Sequence, residues 1–291
     1  MKQMKQQLIN PLLPYSTNSD GIYECLSDIS LSADQCIEIE LRERVASKTY
    51  DNYLSAISHS HSVPVMDSEV DNFLKKIPQD GLILDIGGCW GWHWRRLAET
   101  RPDVSVIIID FVRSNLVHAK NVLIDLVGNQ VALMHADATA LPFKIDENFS
   151  GVDGLWTVQT FQHIPDFSKA ISEAHRVLKR KGVFTNYSIN NQPHIRMLYR
   201  IFGRDYISKG WVDKMYWLAR ASKEQKKVIE DTFGDIVTER CSEILYSPEL
   251  HFRAAGKEGS NLGKLDAMMS NNFGFLGWLA RQHSFHVKKN N

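Results

Sequence analysis

Cysteine is scarce in this chain: Cys25, Cys36, Cys89 and Cys241 are the only four among 291 residues. They are widely spaced, with no CxxC and no Cys/His set at zinc spacing. That excludes a disulfide framework or a zinc module and fits four free thiols in a reducing compartment. Excess charge of one sign is missing too, since 34 Lys+Arg balance 34 Asp+Glu. The simplest electrostatic case for a nucleic-acid binder falls with it. No run approaches the ~18 consecutive apolar residues of a membrane-crossing helix. Residues 1–7 lack the apolar core of a secretory signal, so a cytoplasmic protein is expected. Repeats and low-complexity tracts are absent as well. With 43% hydrophobic residues, the chain has ample material for a packed core.

What is present is alternation. After an irregular, acidic stretch broken by Pro11, Pro14 and Gly21, helix signals run from about residue 41 to 54. Val70, Phe73, Leu74 and Ile77 then recur at helical spacing, and Pro78-Gln79-Asp80-Gly81 ends that helix. Apolar runs follow at 82–86, 104–109, 131–134, 152–158 and 182–189, with helical patterns at 92–100, 114–126 and 167–179 between them. Strands alternating with helices predict an α/β fold: a doubly wound, mostly parallel sheet with helices on both faces. The unbroken apolar run 106–109 fits, because a parallel sheet is covered on both sides. Residues 236–240 and 284–288 are expected as two more strands at the far edge, the second antiparallel. His59 and His61 stand two apart in a serine-rich stretch with no third or fourth ligand in view, and no metal is expected.

The first of these strands ends in Asp85-Ile86-Gly87-Gly88-Cys89-Trp90-Gly91 and leads into a helix. Glycines at such a turn let backbone N–H groups approach a ligand closely. Open α/β sheets bind ligands beyond the carboxyl ends of their strands. Asp110 ends the second strand and Asp137 the third. A carboxylate at Asp110 suits the two hydroxyls of a ribose. One at Asp137 can accept from an exocyclic adenine amine while the N–H of Ala138 serves a ring nitrogen. Any one of these aspartates could instead cap a helix or face solvent. Three at successive strand ends mark one ligand edge. A dinucleotide fingerprint is a poorer match, because it needs glycine where the chain has Cys89 and Trp92.

Taken together, residues 82–189 resemble the class I (seven-stranded, Rossmann-like) S-adenosylmethionine-dependent methyltransferases, in particular the ubiquinone/menaquinone-biosynthesis type. The family's acidic-x-Gly-x-Gly-x-Gly motif is matched from Asp85 to Gly91, with Cys89 at the middle glycine and Gly88 beside it. The resemblance implies S-adenosylmethionine as cofactor, cradled by Asp85, Gly87, Gly88, Cys89 and Gly91. It implies that Asp110 binds the ribose, that Phe111 flanks the adenine, that Asp137 and Ala138 meet its edge, and that Thr157 and Val158 line the site. It implies a seven-stranded methyltransferase domain over 66–291, preceded by an N-terminal extension and helical lid over 1–65. Tyr50, Asp51 and Tyr53 are expected in that lid. An acceptor-side insertion is expected after strand five, at about 194–234.

Methyl transfer from a sulfonium is an in-line displacement in which the donor carries its own activation, so the protein mainly orients and excludes water. A hydroxyl or carbon acid also needs a base. His163, just past strand four, is the candidate catalytic base, with Tyr187 and His194 behind it. Strand four ends in Thr157-Val158-Gln159-Thr160, without the tetrad typical of enzymes that methylate exocyclic amines of bases, so nucleic acid is an unfavoured substrate. O- or C-methylation of a small molecule is the expectation. Residues 194–227 hold nine Lys/Arg against three Asp/Glu, interleaved with aromatics. They suit an apolar or anionic acceptor, or peripheral membrane contact through 196–227. The apolar Met197, Leu198, Ile201 and Phe202 are expected to face the methyl donor. A second class stays open: an S-adenosylmethionine-binding scaffold with weak or no activity, since fold alone does not fix function. Oligomeric state has no sequence signal.

Overall fold

Strands that are apolar along their whole length need cover on both faces, and the centre of this sheet has it. The computed structural model describes residues 4–26, 30–44, 62–189, 197–198, 200–203, 222–246 and 261–290. Within them lie strands β1 (Tyr23–Glu24), β2 (Leu82–Ile86), β3 (Ser105–Asp110), β4 (Val131–His135), β5 (Val152–Val158), β6 (Leu178–Ile189), β7 (Thr238–Ser242) and β8 (Gln282–Lys288). All eight join one sheet in the order β1-β4-β3-β2-β5-β6-β8-β7. β1 to β6 run parallel, and β8 is antiparallel to both neighbours. The helices are α1 (Gln6–Leu12), α2 (33–44), α3 (Ser62–Leu74), α4 (Leu97–Thr100), α5 (Arg113–Val122), α6 (Phe167–Val177), α7 (Ser222–Phe233) and α8 (Asn261–Asn272).

Alternation along β2 and β3 divides the interior. Leu82, Leu84, Ile86, Ile107 and Ile109 pack on the face of α6 and α7, and Ile83, Val106 and Ile108 on the face of α3 and α5. α6 shows how a sequence pattern becomes such a layer. Asp166 caps it by accepting from Lys169 N, and Phe167, Ala170, Ile171, Ala174 and Val177 form one buried stripe. Burying a side chain the size of Ile171 contributes ~1.5–3 kcal/mol.

The sheet has one strand more than expected. The additional strand, β1, pairs with Met134 and His135 and belongs to the stretch read as irregular; two residues have no period to detect. α1 buries Leu8 and Leu12 in the same core as β2. The expected helix at 92–100 is a 3₁₀ turn, Trp92–Trp94, followed by the single turn of α4. Trp94 leaves the helical path to enter the core, where it is fully buried. The last strand is antiparallel as expected but does not form the edge: β8 lies between β6 and β7, and the half-exposed β7 is outermost. Among the described residues no helix is long and apolar enough to cross a membrane.

β2 has β3 on one side and β5 on the other, so the direction of winding reverses there. That reversal opens a crevice at the carboxyl ends of β2 and β5.

Candidate active site at the strand ends

The turn after β2 needs left-handed backbone at three positions: Gly87 (φ 68°), Cys89 (φ 51°) and Gly91 (φ 67°). A Cβ at Gly87 would collide with the Thr160 side chain, and one at Gly88 would reach Ile108 Cγ2 at 2.7 Å. Only glycine fits either position. Gly87 N donates to Ile109 O at 2.8 Å, tying the turn to β3. Cys89 carries the left-handed cost of a side chain, and its N–H donates to Asp110 Oδ2 at 2.9 Å.

Asp110 is thereby a brace as well as a ligand candidate. Its Oδ1 accepts from Val112 N at 2.8 Å and Asn115 Nδ2 at 3.2 Å. Burial pushes its pKa up, against those hydrogen bonds. Asp85, deeper in the strand, is pushed up to about 7 by burial, opposed by the Trp94 indole N–H at 2.7 Å. The Cys89 thiol is also raised by burial. Phe111 is half-buried, and its carbonyl faces His135 Nε2 at 3.3 Å.

Asp137, at the exit of β4, accepts from Thr139 N and Thr139 Oγ1, both at 2.8 Å. Its Oδ2 also accepts from Gln35 Nε2 at 2.7 Å, an amide donor from α2. Ala138 is buried beside it. At the exit of β5, the carbonyl of Val158 accepts from Thr160 Oγ1 at 3.1 Å. Thr157 is fully buried, with its hydroxyl unpaired among the described residues.

His163 ends the 3₁₀ turn Phe161–His163. Arg42 Nη2, on α2, donates to its Nδ1 at 2.7 Å. A neutral ring with Nδ1 accepting carries its proton on Nε2, so neither nitrogen has a free lone pair. Burial, helped by the Arg42 charge, pushes its pKa down to about 3. In this arrangement the Nδ1 lone pair of His163 is engaged by Arg42. Tyr187 lies elsewhere. Strand parity turns it to the α3 face, where its hydroxyl donates to the buried Glu69 at 2.7 Å and its pKa is well above the usual value.

α2 therefore spans three strand exits. Gln35 meets Asp137, Arg42 meets His163, and Glu43 accepts from Ser114 N at 3.1 Å. The resemblance implied a helical lid within 1–65; in that range the helix described at the strand exits is 33–44, set in a polar stretch. Thr160, Gln35, Glu38 and Arg42 are the site neighbours that sequence reasoning missed. Of these, only Thr160 had a signal, its place directly after β5. Tyr50, Asp51, Tyr53, His59, His61 and His194 lie outside the described residues, as does most of the insertion. Met197, Leu198, Ile201 and Phe202, expected to face the methyl donor, are 44–73% exposed and point to solvent.

Residues 84–185 match a family model described as a methyltransferase domain. The ubiquinone/menaquinone biosynthesis C-methyltransferase UbiE of Rickettsia prowazekii is 33% identical over 120 residues, 39% of this chain and 47% of that protein. UbiE of Rickettsia massiliae is 30% identical over 145 residues, 47% of this chain and 57% of that protein. The chain thus spans about half the length of the curated relatives it matches. Among solved structures, the [4+2]-cyclase SpnF superposes with TM-score 0.52 at 14% identity, covering 77% of this chain and 80% of that one. The plantazolicin methyltransferase BpumL, in complex with S-adenosylhomocysteine, gives TM-score 0.51 at 12% identity, covering 88% and 95%. At such identities the likeness shows the fold.

Proposed function

We propose that this chain, a class I, Rossmann-like S-adenosylmethionine-dependent methyltransferase by its fold and its family match over 84–185, transfers a methyl group to a small-molecule acceptor by O- or C-methylation. The observation that carries the reading is the glycine turn at the winding reversal, braced by Asp110 from the next strand. The UbiE-type relatives, which are C-methyltransferases, support it.

The residues fit the cofactor. Asp110 Oδ1 already accepts two bonds, but Oδ2 accepts only from Cys89 N and keeps acceptor capacity that suits a ribose hydroxyl. At Asp137, the Gln35 amide makes the kind of donation that an exocyclic amine would make. Asp85, Gly87, Gly88, Cys89 and Gly91 would hold the amino-acid end, Phe111 and Ala138 the adenine, and Thr157 and Val158 the floor beside them. The cofactor supplies a methyl group already activated on a sulfonium. The protein's part is to bind, to orient and to exclude water, and α2 across the strand exits serves the last. With its lone pairs engaged, His163 would act as a base only after Arg42 withdraws.

Calorimetry with S-adenosylhomocysteine tests the reading, and binding is expected. Asp110→Ala should weaken it by about 1–3 kcal/mol, since the ribose and the glycine turn both lose a carboxylate partner. Unchanged affinity in that variant would place the ribose elsewhere. A screen for S-adenosylhomocysteine release across quinones, phenols and carboxylic acids tests turnover. Binding without release on any acceptor would favour the scaffold alternative.

A further inference from the structure

Arg42 stands where a charge has consequences. Its Nε donates to Glu38 Oε1, one helical turn back, at 2.7 Å, and its Nη2 to His163 Nδ1 at 2.7 Å. The Arg42 side chain is 23% exposed and that of Glu38 9%. Nη1 has no partner among the described residues. The same charge acts on the Cys89 thiol in the glycine turn. Arg42 thus sits at the β5 exit, two helical turns along α2 from Gln35, which meets Asp137, where the adenine is expected. A neutral imidazole is a weak mate for a guanidinium, whose planar fork matches a carboxylate in two parallel hydrogen bonds.

We propose that Arg42 is the anion-binding residue for the methyl acceptor, and that this acceptor carries a carboxylate. The inference rests on the methyltransferase reading and names its substrate class. Charge count favours a monoanion. Arg42 and Glu38 cancel, so a monoanion adds one negative charge to the half-buried site where a phosphate dianion would add two. Turning the fork onto a carboxylate also takes Nη2 off His163 and returns the Nδ1 lone pair to the ring. Acceptor binding and base availability are thereby linked.

The probes are benzoate and its neutral counterpart benzamide, titrated calorimetrically into protein saturated with S-adenosylhomocysteine. Benzoate should bind and benzamide should not. Arg42→Gln should weaken benzoate by about tenfold or more, which is ~1.4 kcal/mol, and leave S-adenosylhomocysteine affinity unchanged. Arg42→Lys should restore part of the loss, and Arg44→Gln, on the same helix, should change neither. By NMR, the His163 pKa should rise when benzoate binds to the wild-type protein. Equal benzoate binding by wild type and Arg42→Gln would overturn the proposal, as would no binding by wild type at millimolar benzoate. A loss of S-adenosylhomocysteine affinity in Arg42→Gln would also overturn it, because the guanidinium would then hold the cofactor's own carboxylate. If wild type fails to bind S-adenosylhomocysteine, the methyltransferase reading fails, and the benzoate series on the free protein still decides whether Arg42 binds a carboxylate.

Discussion

At the β2/β3 end of the crevice the bonds are local: Asp110 holds Cys89, Val112 and Asn115, all within 21 residues of itself. At the β5/β6 end the pattern is the opposite. Thr157, Asn186 and Ser188 bury side-chain oxygens that have no partner among the described residues, and His163 is held by a residue 121 positions away. The difference separates two duties. A braced turn has its shape before any ligand arrives, as a site for one invariant cofactor requires. Buried unpaired oxygens cost about 1–3 kcal/mol each, and native proteins keep such groups where some further partner completes them.

The largest effect should come from the braced end. Trp94 is fully buried and is the indole donor to Asp85, so Trp94→Ala should cost ~3–5 kcal/mol in urea unfolding. A loss below about 1 kcal/mol would show that this end is not locked by its interior contacts. The next effect is on pH dependence. Burial pushes His93 down to about 4, and His163 and His286 down to about 3, while it pushes Asp85 up to about 7. Between about pH 4 and 6.5 the unfolded chain binds the imidazole protons and the folded chain does not, so stability rises with pH. Asp85 opposes that rise, because the folded chain keeps its proton after the unfolded chain has released it. Asp85→Asn should therefore steepen the rise between pH 5 and 6.5 by up to about 1.4 kcal/mol per pH unit. An unaltered slope of urea midpoints would mean that Asp85 is ionised throughout.

Smaller still, Thr157→Val removes an unpaired hydroxyl and should stabilise the protein by ~1 kcal/mol. If turnover drops in the same variant, that hydroxyl is one that the acceptor uses. The smallest change is expected at Cys89, whose φ of 51° favours glycine. Cys89→Gly should gain less than about 1 kcal/mol, because relief of left-handed strain is partly offset by a freer unfolded chain. S-adenosylhomocysteine affinity should stay as it was. A large change in affinity would assign the Cys89 side chain a binding role.

The same contrast explains what was legible in the sequence. β2 and β5 have the expected bounds, and β3 and β4 differ by one residue, because continuous apolar runs between glycine turns encode them locally. Asp85, Gly87, Gly91 and Asp110 were visible for that reason: contiguous backbone geometry dictates them. Gln35, Glu38 and Arg42 were not, since the stretch from Ser32 to Arg44 is polar and its importance comes only from what it touches across the fold. Tyr187 misled because nearness to a strand end does not tell which face a side chain takes. A single step of parity sent it to Glu69.

The position of β8 bears on how the chain is made. Thr185 of β6 meets His286 of β8 across 101 residues of sequence, and β8 in turn supplies the sheet partner of β7. During synthesis the parallel core from β1 to β6 can assemble while the far side of β6 still shows unpaired N–H and C=O groups. An open edge of that kind invites pairing with other nascent chains. The strand that caps β6 is thus made some hundred residues after it, and truncation before residue 282 would leave a folded sheet with a sticky flank.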